Sequence, residues 1–240
     1  MKTYVISGST SGIGEGLVES FKNDDVKIIA IGRNEQKLNE LSNIIPNDRL
    51  ITINVDLENV NLITNALEPI KDLDIDGFIH CAGFSSELNF RRASYDMNIK
   101  QMNINFFSFV EILKFLVLHK DSKKQFRVVA LSSVASIRYA ACDHIYAATK
   151  GALDSYIHSV AGELVKRNVE INSLQPVYVN TSMIKLTKQA YGEEFDNYVR
   201  RFQPLGILEV EDVVEQIRFL LEKKSKKVTG TSIFINAGSH

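Results

Sequence analysis

Apolar residues fall along this chain in two alternating rhythms. Short continuous runs, such as Thr3-Tyr4-Val5-Ile6, Lys27-Ile28-Ile29-Ala30-Ile31 and Val128-Val129-Ala130-Leu131, are followed by longer stretches in which apolar positions recur every three or four residues. The short runs predict strands near 3–7, 26–31, 50–54, 76–81, 127–132, 169–174 and 231–236, with helices filling the gaps. Strands that are apolar on both faces need helices on both sides, and connections of helix length demand parallel pairing. The expected fold class is therefore α/β: a doubly wound parallel sheet of about seven strands. Right-handed crossovers would place Gly8, Gly32, Asp56, Gly83, Ser133 and Pro176 at the carboxyl ends of strands, where ligands bind near the reversal of strand order.

The first strand runs straight into Ser7-Gly8-Ser9-Thr10-Ser11-Gly12-Ile13-Gly14, and a helical pattern follows through Leu17, Val18 and Phe21. Glycines at such spacings permit a tight turn, let backbone approach a pyrophosphate, and let helix and strand pack closely. The new helix then aims its free amides and positive dipole end at the phosphates. Nucleotide binding is the expectation here, because the turn sits between a strand and a helix.

A second signal lies in Tyr146-Ala147-Ala148-Thr149-Lys150, thirteen residues after Leu131-Ser132-Ser133. If 141–167 form a helix, Tyr146 and Lys150 share one face. A nearby positive charge favours the ionised phenol, whose ordinary pKa is about 10, and so suits Tyr146 to acid or base work. Ser133 would hold a substrate oxygen. An exposed amphipathic helix would show the same pair, so the spacing by itself leaves both readings open.

Composition narrows the class. With 240 residues, 45% of them apolar, only four prolines and no repeat or linker, 1–240 is expected to form one unit. A net charge of -1 excludes a general nucleic-acid footprint, and the basic runs Lys120, Lys123, Lys124 and Lys223, Lys224, Lys226, Lys227 read as solvated helix ends. Cys81 and Cys142 have no metal-ligand spacing with the five histidines, so no metal is expected, and they imply no disulfide framework. No apolar run reaches the roughly 18 residues of a membrane span, and the first strand follows directly on Met1. A soluble cytoplasmic protein is expected, without membrane or nucleic-acid partners.

With these motifs in this order, the sequence resembles the short-chain dehydrogenase/reductase family over nearly its full length. The resemblance implies a single NAD(P)-binding Rossmann domain. It implies cofactor contacts from Gly8, Ser11, Gly12, Ile13 and Gly14, from Asp56 and Leu57 after the third strand, and from Ala82 and Gly83. His80-Cys81-Ala82-Gly83 stands where the family usually has Asn-Asn-Ala-Gly. Further contacts are implied from Pro176, Val179 and Thr181. The implied catalytic set is Asn103 in Met102-Asn103-Ile104-Asn105, Ser133, Tyr146 and Lys150, with Tyr146 and Lys150 also touching cofactor, and with Lys150 lowering the tyrosine pKa. A cap for the next helix is the alternative role for Asp56. Val177 replaces a glycine after Pro176, and its branched side chain is expected near the nicotinamide face.

The implied activity is hydride transfer between a nicotinamide cofactor and a carbonyl or secondary alcohol. NADP(H) is the preferred cofactor, because Gly32-Arg33 ends the second strand without an acid and Arg33 suits a 2′-phosphate; NAD(H) is the alternative. A β-ketoacyl carrier-protein reductase is the runner-up, with Lys124 and Arg167 as docking cations, and a non-catalytic nucleotide sensor is the reading from another class. Positions 182–203 resemble a substrate lid, whose Lys185, Lys188, Arg200 and Arg201 would favour an anionic or thioester-linked substrate. Apolar residues on more than one face of the helices around Phe106–Leu116 and Leu153–Val160 imply a homo-oligomer, a tetramer or a dimer.

Overall fold

A computed structural model describes residues 1–86, 89–138, 143–222 and 227–239. Its strands are β1 (Lys2–Ser7), β2 (Val26–Gly32), β3 (Leu50–Asn54), β4 (Gly77–His80), β5 (Phe126–Leu131), β6 (Val169–Pro176) and β7 (Thr231–Ile235). They form one parallel sheet in the order β3-β2-β1-β4-β5-β6-β7. The order reverses between β1 and β4, where Ser7 pairs in register with His80. The carboxyl ends of these two strands lead into Gly8 and Ala82, at the reversal of strand order beside which doubly wound sheets bind ligands.

Alternation along each strand splits the core into two layers. Val5, Ile29, Phe78, Val128 and Ile171 face α3 (Val60–Leu67), α5 (Ser108–His119) and α6 (His144–Leu164). Tyr4, Ile6, Ile28, Ile79, Val129 and Leu174 face α1 (Gly12–Ser20), α2 (Glu35–Glu40) and α9 (Val210–Leu221). Both faces are dry because both are covered, which is why the strands read as unbroken apolar runs.

α4 (Tyr95–Met102) continues through a π-helical turn, Asn103–Phe107, into α5. By length and composition Tyr95–His119 is apolar enough to cross a bilayer. Its apolar side is instead spent inside the protein: Phe109, Ile112, Leu113, Phe115 and Leu116 are all buried. This also corrects the basis of the oligomer expectation, since Phe109, Leu113, Phe115, Leu116, Leu153 and Ile157 fill the protein's own core. Phe107 and Leu118 remain exposed, and Phe106, Tyr156 and Val160 are half-buried.

The region of the expected lid holds α7 (Lys185–Tyr191) and α8 (Phe195–Phe202). Ile184, Phe195 and Val199 form a small separate apolar cluster with Tyr178, Tyr198 and Ile207 packed on it. Gln203 anchors the segment's end, accepting from the Tyr178 amide at 3.0 Å and donating to the Tyr178 carbonyl at 3.2 Å. Cys142 and the basic residues Lys223, Lys224 and Lys226 lie outside the described residues.

Candidate active site

The glycine-rich turn is shaped by contacts that allow no side chains. Gly8 has φ +70, and a Cβ there would stand 2.6 Å from the Ala82 amide nitrogen. A Cβ on Gly14 would stand 2.1 Å from the Gly8 carbonyl oxygen. The close approach packs α1 against the turn, and Ser11, the residue before α1, does not cap the helix amides with its side chain. Ile13 is half-buried against the core. Thr181 faces this turn, its methyl 3.4 Å from where a Gly12 Cβ would lie. A cradle without side chains at Gly8, Gly12 and Gly14, beneath a helix N-terminus, fits the pyrophosphate of a dinucleotide.

Next to it, Gly32 ends β2 beneath Thr10, and Arg33 is exposed. Lys37, which the sequence reading passed over, donates from α2 to the Thr10 carbonyl at 3.3 Å. Asp56 is in the turn after β3, where its carboxylate accepts from the Glu58 amide at 3.0 Å; this bond closes the turn and does not cap α3, whose N-terminus follows Asn59. The Leu57 side chain is buried in the core, leaving only its backbone for the cleft.

The chemistry-bearing residues converge beyond the cradle. Ser133 follows β5, and its hydroxyl accepts from the Ala135 amide at 3.1 Å while facing the Tyr146 phenol. Tyr146 and Lys150 project from one face of α6, with the Lys150 Nζ 5.6 Å from the centre of the tyrosine ring. Lys150 is 3% exposed, and its ammonium donates to the Leu131 carbonyl at 2.6 Å.

The phenol differs from expectation. Burial pushes the Tyr146 pKa up to about 12, Ser133 pulls it down, and Asp143 adds to the rise. The lysine charge lies 5.6 Å from the ring centre, and burial lowers Lys150 itself to about 8, against the opposing pull of Asp154 and Cys81. Tyr146 is thus held as a protonated acid.

The asparagine assignment is corrected. Asn103 points its amide away from this cluster, to the Glu58 carbonyl at 3.0 Å. Asn105, fully buried, donates to Thr149 Oγ1 and to the Phe84 carbonyl and accepts from the Phe84 amide, each at 3.0 Å. Its Oδ1 and the Lys150 Nζ lie 3.5 and 3.4 Å from the same point, where a Gly83 Cβ would stand. Two residues apart on a helix means nearly opposite faces, so only one of the two can reach Lys150.

Further placements matter. Val177 is buried, in the same apolar layer as the α9 residues Val213, Val214 and Ile217. Val179 is likewise buried and bridges Leu208, while Pro176 closes β6 at the cleft rim. His80 replaces an asparagine by fastening β4 to β1 through Nδ1 and Ser7 Oγ at 2.8 Å, with its ring against Phe78 and Phe109. Burial pushes the Cys81 thiol up to about 12, which removes thiolate reactivity near neutrality. Among the described residues no cluster of metal-binding side chains occurs. Asp143, which accepts from Ser85 at 3.0 Å, borders the phenol and was not singled out by the sequence.

A parallel sheet reversing at a glycine-rich turn, with a serine, tyrosine and lysine at its rim, defines a dinucleotide-dependent class of protein. Comparison makes the class specific. The family model described as enoyl-(acyl carrier protein) reductase matches residues 8–240. A 3-oxoacyl-[acyl-carrier-protein] reductase of Rickettsia prowazekii is 26% identical over 99% of this chain and 96% of its own length. A dehydrogenase/reductase SDR family protein 7-like of Anopheles gambiae is 26% identical over 76% of this chain, which spans 60% of that relative. Among solved structures, 4-hydroxyisoleucine dehydrogenase complexed with NADH superposes with a TM-score of 0.92 at 24% identity, covering 99% of this chain and 98% of that one. L-sorbose reductase from Gluconobacter frateurii, complexed with NADPH and L-sorbose, gives 0.89 at 20% identity, covering 99% and 96%; likenesses this distant show the fold. The chain belongs to the short-chain dehydrogenase/reductase family and is an NAD(P)-dependent oxidoreductase.

Proposed function

We propose that the protein transfers hydride between NADP(H) and the carbonyl or secondary alcohol of a small molecule. The observation that carries this is the convergence of Ser133, Tyr146 and Lys150 beside Gly83 at the rim of the glycine cradle. The residues present fit the cofactor: Gly8, Gly12 and Gly14 leave room for the pyrophosphate, and Lys150 has two N–H bonds beyond the one given to Leu131 with which to hold ribose hydroxyls. Bound there, the nicotinamide supplies or accepts the hydride.

The chain's own residues do the rest. Ser133 and Tyr146 hydrogen-bond the carbonyl oxygen, and the high-pKa phenol hands its proton to that oxygen as the carbon is reduced. Lys150 supplies positive charge beneath the tyrosine. Asn105 fixes the Gly83-Phe84 loop to α6 through Thr149, whose hydroxyl in turn donates to the Tyr146 carbonyl at 2.8 Å. Preference for NADP(H) rests on Arg33 and Lys37 beside the end of β2, where a guanidinium and an ammonium can meet a 2′-phosphate. The NADPH-bound neighbour supports nicotinamide use in the same fold.

A carrier-protein thioester is the second reading, supported by the Rickettsia relative. The cations expected to dock such a carrier are otherwise engaged: Lys124 pairs with Asp74, and Arg167 donates to the Val117 carbonyl at 3.1 Å. In the lid, Lys185, Arg200 and Arg201 are exposed and Lys188 lies over the Phe195 ring, which supports an anionic substrate group. The half-buried Phe106, Tyr156 and Val160 support a homo-oligomer, to be checked by light scattering, and the lack of a cysteine framework supports a cytoplasmic enzyme.

The test is an NADPH-oxidation screen over ketones, keto-sugars, ketoacyl thioesters and steroids, with Tyr146→Phe as control. The variant is expected to bind NADPH and to lose about 100- to 10,000-fold in kcat/KM. Near-wild-type turnover in the phenylalanine variant would remove Tyr146 as the acid and the mechanism with it.

A further inference from the structure

Asp154 lies one helical turn beyond Lys150 on α6 and is 6% exposed. Its carboxylate accepts from Ser173 Oγ at 2.6 Å on one oxygen, and from Ser132 Oγ and Gln175 Nε2, both at 2.8 Å, on the other. The donors can be assigned by counting protons. Ser173 has one hydroxyl proton, which goes to the carboxylate because a carboxylate oxygen cannot donate. Ser232, 2.8 Å from Ser173, must therefore donate to it, and His158 Nε2, 2.9 Å from Ser232, must donate in turn. Gln175 gives its second amide proton to Ser136 Oγ at 2.8 Å. Three donors, from Ser132, Ser173 and Gln175, thus converge on one buried anion, contributed from α6 to the ends of β5 and β6.

The partners of that anion are neighbours of the reacting groups. Ser132 precedes Ser133, and Gln175 precedes Pro176 at the cleft rim. Hydrogen bonds to a charged acceptor are the strong ones, and burial removes the competition of water. We propose that Asp154 is a positioning residue, its carboxylate clamping the Ser133 strand end and the Pro176 rim of the cofactor cleft onto the helix that presents Tyr146 and Lys150. The same anion faces Lys150 from its own helix, while Cys81 and His80 face it from the end of β4 and Tyr146 lies alongside. This rests on the hydride-transfer function proposed above.

The decisive experiment pairs Asp154→Asn with Ser132→Ala, singly and together, in the full-length protein. Three readings are taken: kcat/KM with the best substrate of the carbonyl screen, NADPH affinity from nicotinamide fluorescence, and Tm. The asparagine keeps the shape but offers one acceptor oxygen to three donors. Asp154→Asn is expected to lower kcat/KM at least tenfold, to weaken NADPH at least threefold, and to move the alkaline limb of the pH profile to lower pH. Ser132→Ala, the milder change, is expected to lower kcat/KM severalfold and to add little to Asp154→Asn, because the two act through one contact. A folded Asp154→Asn protein with wild-type kcat/KM and NADPH affinity, or strictly additive losses in the double variant, would overturn the proposal. A wild-type protein that reduces no carbonyl defeats the function instead, and the NADPH arm still decides the role of Asp154.

Discussion

Lys150 donates to the main-chain carbonyl of Leu131 at 2.6 Å, which fastens the helix bearing Tyr146 to the strand that leads into Ser133. The lysine is both a tether and a charge, and its burial sets when that charge is present. Its pKa falls from 10.5 to about 8. Activity should therefore decline as pH rises through about 8. Stability should move the other way: between about 8 and 10.5 the unfolded chain holds the proton that the folded one has lost, so this group's contribution favours folding more as pH rises. Measuring kcat/KM and Tm against pH in parallel checks both slopes, and a rate profile flat to pH 10 would contradict the assignment. Lys150→Met is expected to lose cofactor affinity and turnover together.

Asn105 and Asn103 offer a discriminating pair. Asn105→Ala leaves the Phe84 amide without its acceptor and takes one donor each from the Phe84 carbonyl, which keeps Gln101, and from the Thr149 hydroxyl, which keeps its bond to the Tyr146 carbonyl, at a cost of about 1–3 kcal/mol. It should also loosen the Gly83 loop and reduce turnover at least tenfold. Asn103→Ala removes one bond to the Glu58 carbonyl in a half-buried position and should retain turnover within about threefold. Equal losses in the two variants would mean that the site does not depend on which asparagine faces Lys150.

His80 should make the fold acid-sensitive. Burial, aided by the Lys150 charge, pushes its pKa down to about 3 from 6.5. The folded state thus excludes a proton that the unfolded chain accepts, and the resulting stability is present above about 6.5 and lost as pH falls toward 3. His80→Asn, which keeps a polar partner for Ser7, should show a shallower fall of Tm between pH 6.5 and 4. Parallel curves for the two proteins would show that another group carries the acid response.

Cofactor choice can be read from Arg33 and Lys37. Arg33→Ala is expected to raise KM for NADPH about tenfold or more while leaving NADH little changed, and Lys37→Ala should act in the same direction more weakly, because its ammonium is shared with the Thr10 carbonyl. Steady-state kinetics with both cofactors decide the matter. A wild-type protein that uses NADH as well as NADPH would end the NADP(H) preference.

The sequence by itself determined what local chemistry controls. Unbroken apolar runs placed all seven strands to within about two residues, because a strand covered on both faces must be apolar on both. Gly8 and Gly14 were legible because no other residue fits a backbone at that separation, and Tyr146 with Lys150 because helical spacing fixes their shared face. Only the tertiary structure decided between Asn103 and Asn105, since a π-turn at Asn103–Phe107 sets the phase of that helix. Packing likewise buried Val177 and raised the Tyr146 pKa where a nearby charge had suggested the reverse. Asp154 was invisible for the same reason: Ser132, Ser173 and Gln175 are unremarkable polar residues until β5 and β6 pair side by side and carry all three beneath one carboxylate on α6.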